Sequence, residues 1–174
     1  VLTDQHYFGG HIDFIQQVKT VVKLPILRKD FIVSEYQVWE SFYTGADAIL
    51  LIADAIDFSL FATLYELANE LGMHALVEIH SIANLDDILS LNPEIIGINC
   101  RNLQTMETDL SWFESVYGKL PGDSVKVAES GIKTGEDLSF IYELGYNSVL
   151  VGTSLMKTRS PGTALAKLLN RIPA

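Results

Sequence analysis

The run Ala75-Leu76-Val77-Glu78 decides how this chain is read: three aliphatic residues, too few for a helix, end in a carboxylate. Four further runs have the same form. They are Ile26-Leu27-Arg28-Lys29, Ile95-Ile96-Gly97-Ile98-Asn99, Val125-Lys126-Val127-Ala128-Glu129 and Ser148-Val149-Leu150-Val151-Gly152. Short aliphatic and β-branched runs of this kind read as strands buried on both faces, as in parallel sheets. Functional groups at the ends of successive parallel strands are the arrangement of an α/β-barrel active site. The pattern therefore predicts an enzyme.

Between these runs lie helical patterns, with apolar stripes at Ile12, Ile15, Val18 and Val22, at Leu60, Leu64, Leu67 and Leu71, and at Leu165, Leu168, Leu169 and Ile172. Gly45, Gly72, Gly118 and Gly145 each follow a helical stretch, where a left-handed residue ends a helix. Ser34, Ser81 and Thr134 are expected N-caps, the last with Asp137 three residues on as a capping box. Strands are expected near Pro25, Ala48, Ala75, Ile95, Val125 and Ser148, and Val1-Leu2-Thr3 reads as the tail of one more. That makes seven βα units, the first incomplete, where a closed barrel needs eight. A doubly wound sheet would be complete as written, but it gathers its chemistry at one switch point, and here it is spread along the chain. The expected fold is an α/β (β/α)₈ TIM barrel lacking its first βα unit, a single domain over residues 1–174.

Composition narrows the partners. The 174 residues are 48% hydrophobic and 20% charged, which suits one globular domain, and the net charge of −10 argues against a nucleic-acid or anionic membrane surface. A small anion is still allowed, because a few local donors can outweigh the global field. One cysteine, Cys100, cannot form an intramolecular disulfide, and neither a signal-like segment nor a long apolar run is present, so a cytoplasmic setting is expected.

Lys29 and Glu78 stand where partial desolvation suits general acid and base work, or where the two form a structural ion pair with each other or with Arg28 and Asp30. Glu129 carries the same two readings. Asn99 can orient a substrate hydroxyl; Arg101 can bind a carboxylate or serve structure alone. Gly131 and Gly152, with Thr153 and Ser154 after the second, read either as a phosphate cradle after the last two strands or as ordinary turn glycines. His80 lacks a second histidine at ligand spacing, so a metal is not expected.

Seven stretches then fall into a pattern. Val1-Leu2-Thr3-Asp4 through Phe8-Gly9-Gly10, Leu24-Pro25-Ile26-Leu27-Arg28-Lys29-Asp30-Phe31, Ala46-Asp47-Ala48-Ile49-Leu50-Leu51-Ile52, Leu76-Val77-Glu78-Ile79-His80, Ile96-Gly97-Ile98-Asn99-Cys100-Arg101-Asn102-Leu103, Ala128-Glu129-Ser130-Gly131-Ile132 and Leu150-Val151-Gly152-Thr153-Ser154-Leu155-Met156 resemble, in order and spacing, the indole-3-glycerol-phosphate synthases of tryptophan biosynthesis. The resemblance implies a carboxy-lyase without metal or organic cofactor. Its substrate would be an anionic phosphorylated small molecule, 1-(2-carboxyphenylamino)-1-deoxyribulose 5-phosphate, closed to indole-3-glycerol phosphate with loss of carbon dioxide and water. By the resemblance, Lys29, Glu78 and Asn99 would be catalytic. Arg101, Glu129 and Ser130 would form a polar shell, Gly131, Gly152 and Thr153 a phosphate site, and Phe8 and Phe31 apolar walls near the aromatic ring. Cys100 stands where the family usually has Asn or Ser. The resemblance also places the family's first strand, its first helix and its substrate-capping extension outside this chain. A completed barrel is expected as a monomer, and the chain as written as a swapped or edge-paired oligomer. The competing expectation is a non-catalytic phosphate-binding fragment or association module of the same barrel.

Overall fold

A computed structural model describes residues 1–103 and 105–169, so Ile172 of the last predicted stripe lies outside the described residues. The residues group into two compact units, Val1–Ile95 and Ile96–Ala174.

The first unit runs α1 (Gln5–Phe8), α2 (Asp13–Lys19), β1 (Leu27–Arg28), α3 (Glu35–Thr44), β2 (Ala48–Ile52), α4 (Phe58–Glu70), β3 (His74–Ile79) and α5 (Leu85–Ser90). β1 pairs with β2 and β2 with β3, both in parallel. The expected strand tail at Val1-Leu2-Thr3 is present as a parallel bridge between Leu2 and Lys29. Lys29 donates its amide to the Val1 carbonyl at 2.8 Å, and Thr3 donates to the Lys29 carbonyl at 3.2 Å.

Register sorts the side chains onto two faces. Arg28 is aligned with Ile49, and Ile49 with Ala75, while Ile52 is aligned with Glu78. Because side chains alternate along a strand, Arg28, Ile49, Leu51 and Val77 share one face, and Lys29, Leu50, Ile52 and Glu78 share the other. The first face meets helices: Arg28 donates to the Gln37 carbonyl and the Ser41 hydroxyl of α3, and α4 packs on β2 and β3. Ile49, Leu51, Val77, Phe61, Leu64 and Ala68 are all completely buried. Each large side chain so buried contributes roughly 1.5–3 kcal/mol.

The second unit runs from β4 (Ile95–Asn99), whose first residue belongs to the first unit, through α6 (Ser111–Tyr117), β5 (Val125–Glu129), α7 (Gly135–Leu144), β6 (Ser148–Leu150), α8 (Thr153–Met156) and α9 (Pro161–Leu169). β5 and β6 pair in parallel, with Glu129 aligned to Leu150. The Cys100 amide donates to the Glu129 carbonyl at 3.1 Å, tying the end of β4 to the end of β5. Ile96, Ile98, Phe113 and Ala128 are completely buried. The Thr134–Asp137 capping box starts α7 as expected.

Local expectations fail where a competing contact wins. Ser81 is not an N-cap: its hydroxyl donates to Asp54, and α5 begins later, after Asn84. Ser34 holds the N-cap position of α3 but bonds no helix amide; Gln37 accepts from both the Val33 amide and the Ser34 hydroxyl. Gly45, Gly72 and Gly145 have positive φ, whereas Gly118 ends α6 at φ −68° in right-handed geometry. The buried stripe of α4 is Phe61, Leu64, Tyr65 and Ala68, rotated from the expected leucine stripe, because the larger phenylalanine and tyrosine take the core. In α9 Leu168 is buried but Leu165 and Leu169 are exposed. Among the described residues no helix is long and apolar enough to cross a membrane.

Candidate active site

In the first unit the site grows from the face opposite Arg28. Lys29 follows β1, Glu78 lies near the end of β3, and the lysine reaches past the intervening β2 to set Nζ 3.8 Å from Glu78 Oε2. The Glu78 side chain is 3% exposed and that of Lys29 29%. The separation is longer than a hydrogen bond, so the ammonium and the carboxylate interact as an ion pair. Of the pairings expected for these residues, the one between Lys29 and Glu78 is therefore present. Asp30 takes Arg28 at 3.0 Å, the Thr3 hydroxyl at 2.6 Å and the Phe31 amide at 2.8 Å. Glu40 completes the Arg28 cluster at 2.8 Å.

That cluster places Phe31. Its amide is held by Asp30 and its carbonyl accepts from the Gln37 side chain at 2.9 Å. The Phe31 ring stacks on Phe8, with centroids 6.2 Å apart and planes 23° from parallel. Tyr7 meets the same ring edge-on at 5.8 Å. Phe8 and Phe31 are 51% and 40% exposed, so they form an open apolar wall. Phe8 closes a single turn that Asp4 caps by accepting the Tyr7 amide. After it, Gly10 passes so close to the Leu2 and Thr3 backbone that no Cβ fits. Tyr7 had no distinguishing signal in the sequence, because an aromatic in a short amphipathic turn is common.

In the second unit Asn99 ends β4 almost buried, and its side-chain oxygen accepts the Arg101 amide at 3.0 Å. The Arg101 guanidinium donates to the Met106 carbonyl at 3.0 Å, and Arg101 bridges Thr108 in antiparallel fashion. Arg101 thus clips its own loop. Glu129 is 1% exposed at the end of β5. Ser130 and Gly131 follow in left-handed geometry, at φ 71° and 73°. A Cβ on Gly131 would fall 2.9 Å from both Cys100 Sγ and Leu110 Cδ2. Burial pushes the Cys100 thiol up to about 11, which leaves it protonated near neutrality and unsuited to nucleophilic attack. Gly152 is the opposite case from Gly131: a Cβ there meets nothing within 4 Å. Gly152 opens the short α8, and the Ser154 hydroxyl donates to the Ile132 carbonyl at 3.0 Å, fastening the segment after β6 to the segment after β5.

The structure brings Lys29 to Glu78 and Phe8 to Phe31. It also sets Asn99 against Arg101, and it ties the segment carrying Glu129, Ser130 and Gly131 to the Gly152-Thr153 turn. One further group joins Lys29 and Glu78. His80, set aside as a metal ligand, lies with Nε2 3.1 Å from Glu78 Oε1. His80 directly follows β3, which ends at Ile79, and its spacing of two residues from Glu78 was the signal available in the sequence.

The whole-chain likenesses fit this geometry. The structure superposes on 3-hexulose-6-phosphate synthase from Salmonella typhimurium with a TM-score of 0.80 at 13% identity, covering 98% of this chain and 84% of that one. It superposes on KGPDC from Streptococcus mutans with a TM-score of 0.77 at 10% identity, covering 92% and 78%. At such low identity these show the fold alone, a parallel (β/α) TIM barrel. A family model described as indole-3-glycerol phosphate synthase matches residues 1–168. The chain is 46% identical over 168 residues to the synthase of Polaromonas naphthalenivorans, covering 97% of this chain and 64% of that protein. Against the synthase of Priestia megaterium the identity is 46% over 169 residues, covering 97% and 66%. The chain therefore spans a little under two thirds of the length of these relatives. The family model and the relatives agree along almost the whole of it, and the chain belongs to the indole-3-glycerol phosphate synthase family.

Proposed function

We propose that this chain carries the carboxy-lyase chemistry of its family on 1-(2-carboxyphenylamino)-1-deoxyribulose 5-phosphate, and that it forms one incomplete barrel domain of a cytoplasmic enzyme. The observation that supports this most directly is the pairing of Lys29 with Glu78. In this reading the substrate's aromatic ring lies against the two phenylalanines. Its ring carbon bearing the carboxylate attacks the ribulose carbonyl, and Lys29 donates a proton to the carbonyl oxygen as negative charge develops there. The new carbon–carbon bond leaves a ring carbon holding both substituents. Breaking the bond to the carboxylate releases carbon dioxide and returns that electron pair to the ring, so no external electron sink is needed. Glu78 then serves acid–base work in the dehydration: the hydroxyl leaves as water with a proton delivered by the Glu78 carboxyl, and the resulting carboxylate takes the proton lost from the neighbouring carbon as the ring double bond forms. Asn99 contacts the substrate, with Arg101, Glu129 and Ser130 around it. Gly131, Gly152 and Thr153 receive the phosphate, and binding this remote group holds the reacting ends together.

Turnover to the fluorescent indole product tests the proposal, using the chain alone and the chain joined to the family's first βα unit. Product from either form supports it. Absence of product from both, with phosphate-ester binding retained, would replace it by a binding module. Within the active form, Lys29→Ala should lower kcat by about 10²- to 10⁴-fold, the usual share of a positioned general acid, with KM little changed. An unchanged kcat would remove Lys29 from the mechanism.

A further inference from the structure

We propose that His80 is a positioning residue for Glu78: it holds one carboxylate oxygen so that the other does the proton chemistry. The inference rests on the reading that Glu78 serves in the reaction.

The geometry begins at the end of β3. His80 follows the strand directly, two residues past Glu78, its side chain is only 8% exposed, and its ring is turned against the Glu78 carboxylate. Nε2 lies 3.1 Å from Glu78 Oε1, while Lys29 lies on the side of the other oxygen, Oε2. On the far side of the ring, Nδ1 lies 3.9 Å from Asp54 Oδ2. Asp54 is itself fixed, accepting the His80 amide at 3.0 Å on Oδ2 and the Ser81 hydroxyl at 2.9 Å on Oδ1. The result is a continuous row, Asp54, His80, Glu78 and Lys29, drawn from the ends of three neighbouring strands. Both ring nitrogens are out of solvent and neither makes a hydrogen bond, although each faces a carboxylate. A buried ring nitrogen left unmatched is costly. The distance to Glu78 already suits a hydrogen bond, so a modest ring rotation completes donation from Nε2 to Oε1.

With that bond made, the work of the two carboxylate oxygens is divided. Oε1 is taken by His80, which restricts rotation of the carboxylate, and Oε2 is the oxygen on the side of Lys29. An acid–base group oriented by a third residue is a recurring pattern, and residues that orient metal ligands in the same way cost roughly 10- to 100-fold in affinity or activity when lost. The space-filling explanation, in which the ring merely packs, makes a different prediction. It expects any side chain of similar bulk to serve equally.

Two variants separate the explanations. His80→Leu keeps bulk and removes the donor, whereas His80→Gln keeps an N–H that can reach Glu78. In the form that turns over, His80→Leu should lower kcat about 10- to 100-fold with KM within about twofold, and His80→Gln should recover most of the loss. Thermal unfolding of both variants checks that the fold survives. Equal loss in the two variants, or a parental kcat in His80→Leu, would overturn the proposal. A readout independent of turnover is ring-nitrogen NMR on the chain as it stands. The His80 Nε2 proton should be protected from exchange and should move on Glu78→Gln. If it is unaffected by that substitution, the positioning role is lost whatever the activity. If the coupling is present and no form turns over, the proposed reaction fails while the His80–Glu78 contact stands.

Discussion

Two glycines, each following a strand, answer to different physics. Gly131 is required by the protein itself, since its φ of 73° disfavours any L side chain and its Cβ position is already filled by Cys100 and Leu110. Gly131→Ala should therefore lose about 2–4 kcal/mol, combining the left-handed penalty with overpacking; a denaturation midpoint near the parent's would contradict this. Gly152 has no such neighbour. Gly152→Val should leave stability close to parental and, on the proposed function, weaken binding of the phosphorylated substrate by blocking the approach of its phosphate. Undiminished affinity in that folded variant would take Gly152 out of the phosphate site. The sequence could not separate the two, because a glycine required by its neighbours and one with open space around it have the same letter. The same limit applied to Arg28 and Lys29, adjacent cations whose opposite fates are set by alternation on one strand, with Arg28 turned to α3 and Lys29 toward Glu78.

At the scale of elements, strand position was legible and helix detail was not. All six runs expected as strands appear, and the partial strand at Leu2 is present as a bridge. Aliphatic runs leave few alternatives once each is bounded by helix patterns, but β1 shortens to two residues because the chain turns at once into the Asp30–Phe31 corner. Helix faces and caps depend on partners distant in sequence: Ser81 is drawn to Asp54, and Phe61 and Tyr65 displace the leucine stripe of α4. The Arg28 cluster shows what such a distant partner does for the site. Arg28 is 3% exposed and joins β1 to α3 through Gln37, Ser41 and Glu40, while its other partner Asp30 holds the Phe31 amide. Arg28→Met keeps an apolar body but leaves Asp30 and Glu40 without their shared cation, so it should cost about 3–5 kcal/mol. Loosening of Phe31 should accompany it. Chemical denaturation checks the first effect, and a loss below about 1 kcal/mol would mean that the two acids are served well enough by water and their remaining bonds.

For the molecule as a whole, proton binding marks the pH range in which the fold is secure. Asp47 is pushed up by burial but brought down further by the Ile26 amide and by Lys19, so its carboxyl lies below the usual 3.8. The Ser111 hydroxyl and amide lower Asp109 in the same way. Groups lowered in the folded state bind fewer protons than in the unfolded chain, so their stabilisation holds above the ordinary carboxylate range and is lost as pH falls through it. The alkaline side works in the opposite direction. Burial raises the Cys100 thiol from 9.0 to about 11 and raises the Tyr146 phenol above its ordinary 10.0, Tyr117 adding to the second effect. The folded state then keeps protons that the unfolded chain releases, and by linkage stability falls as pH rises from about 9, with Tyr146 joining above 10. Because the Tyr146 hydroxyl also donates to the Phe113 carbonyl at 3.0 Å, its ionisation removes a buried hydrogen bond as well as a proton. Urea midpoints measured from about pH 7 to about pH 10.5 should therefore decline on the alkaline side for the parent. They should decline less steeply between about 9 and 10 for Cys100→Ala, whatever that variant's stability at neutral pH. Parallel declines for the two proteins would show that the thiol titrates alike in the folded and unfolded chains, and would remove burial of Cys100 as a cause of alkaline instability.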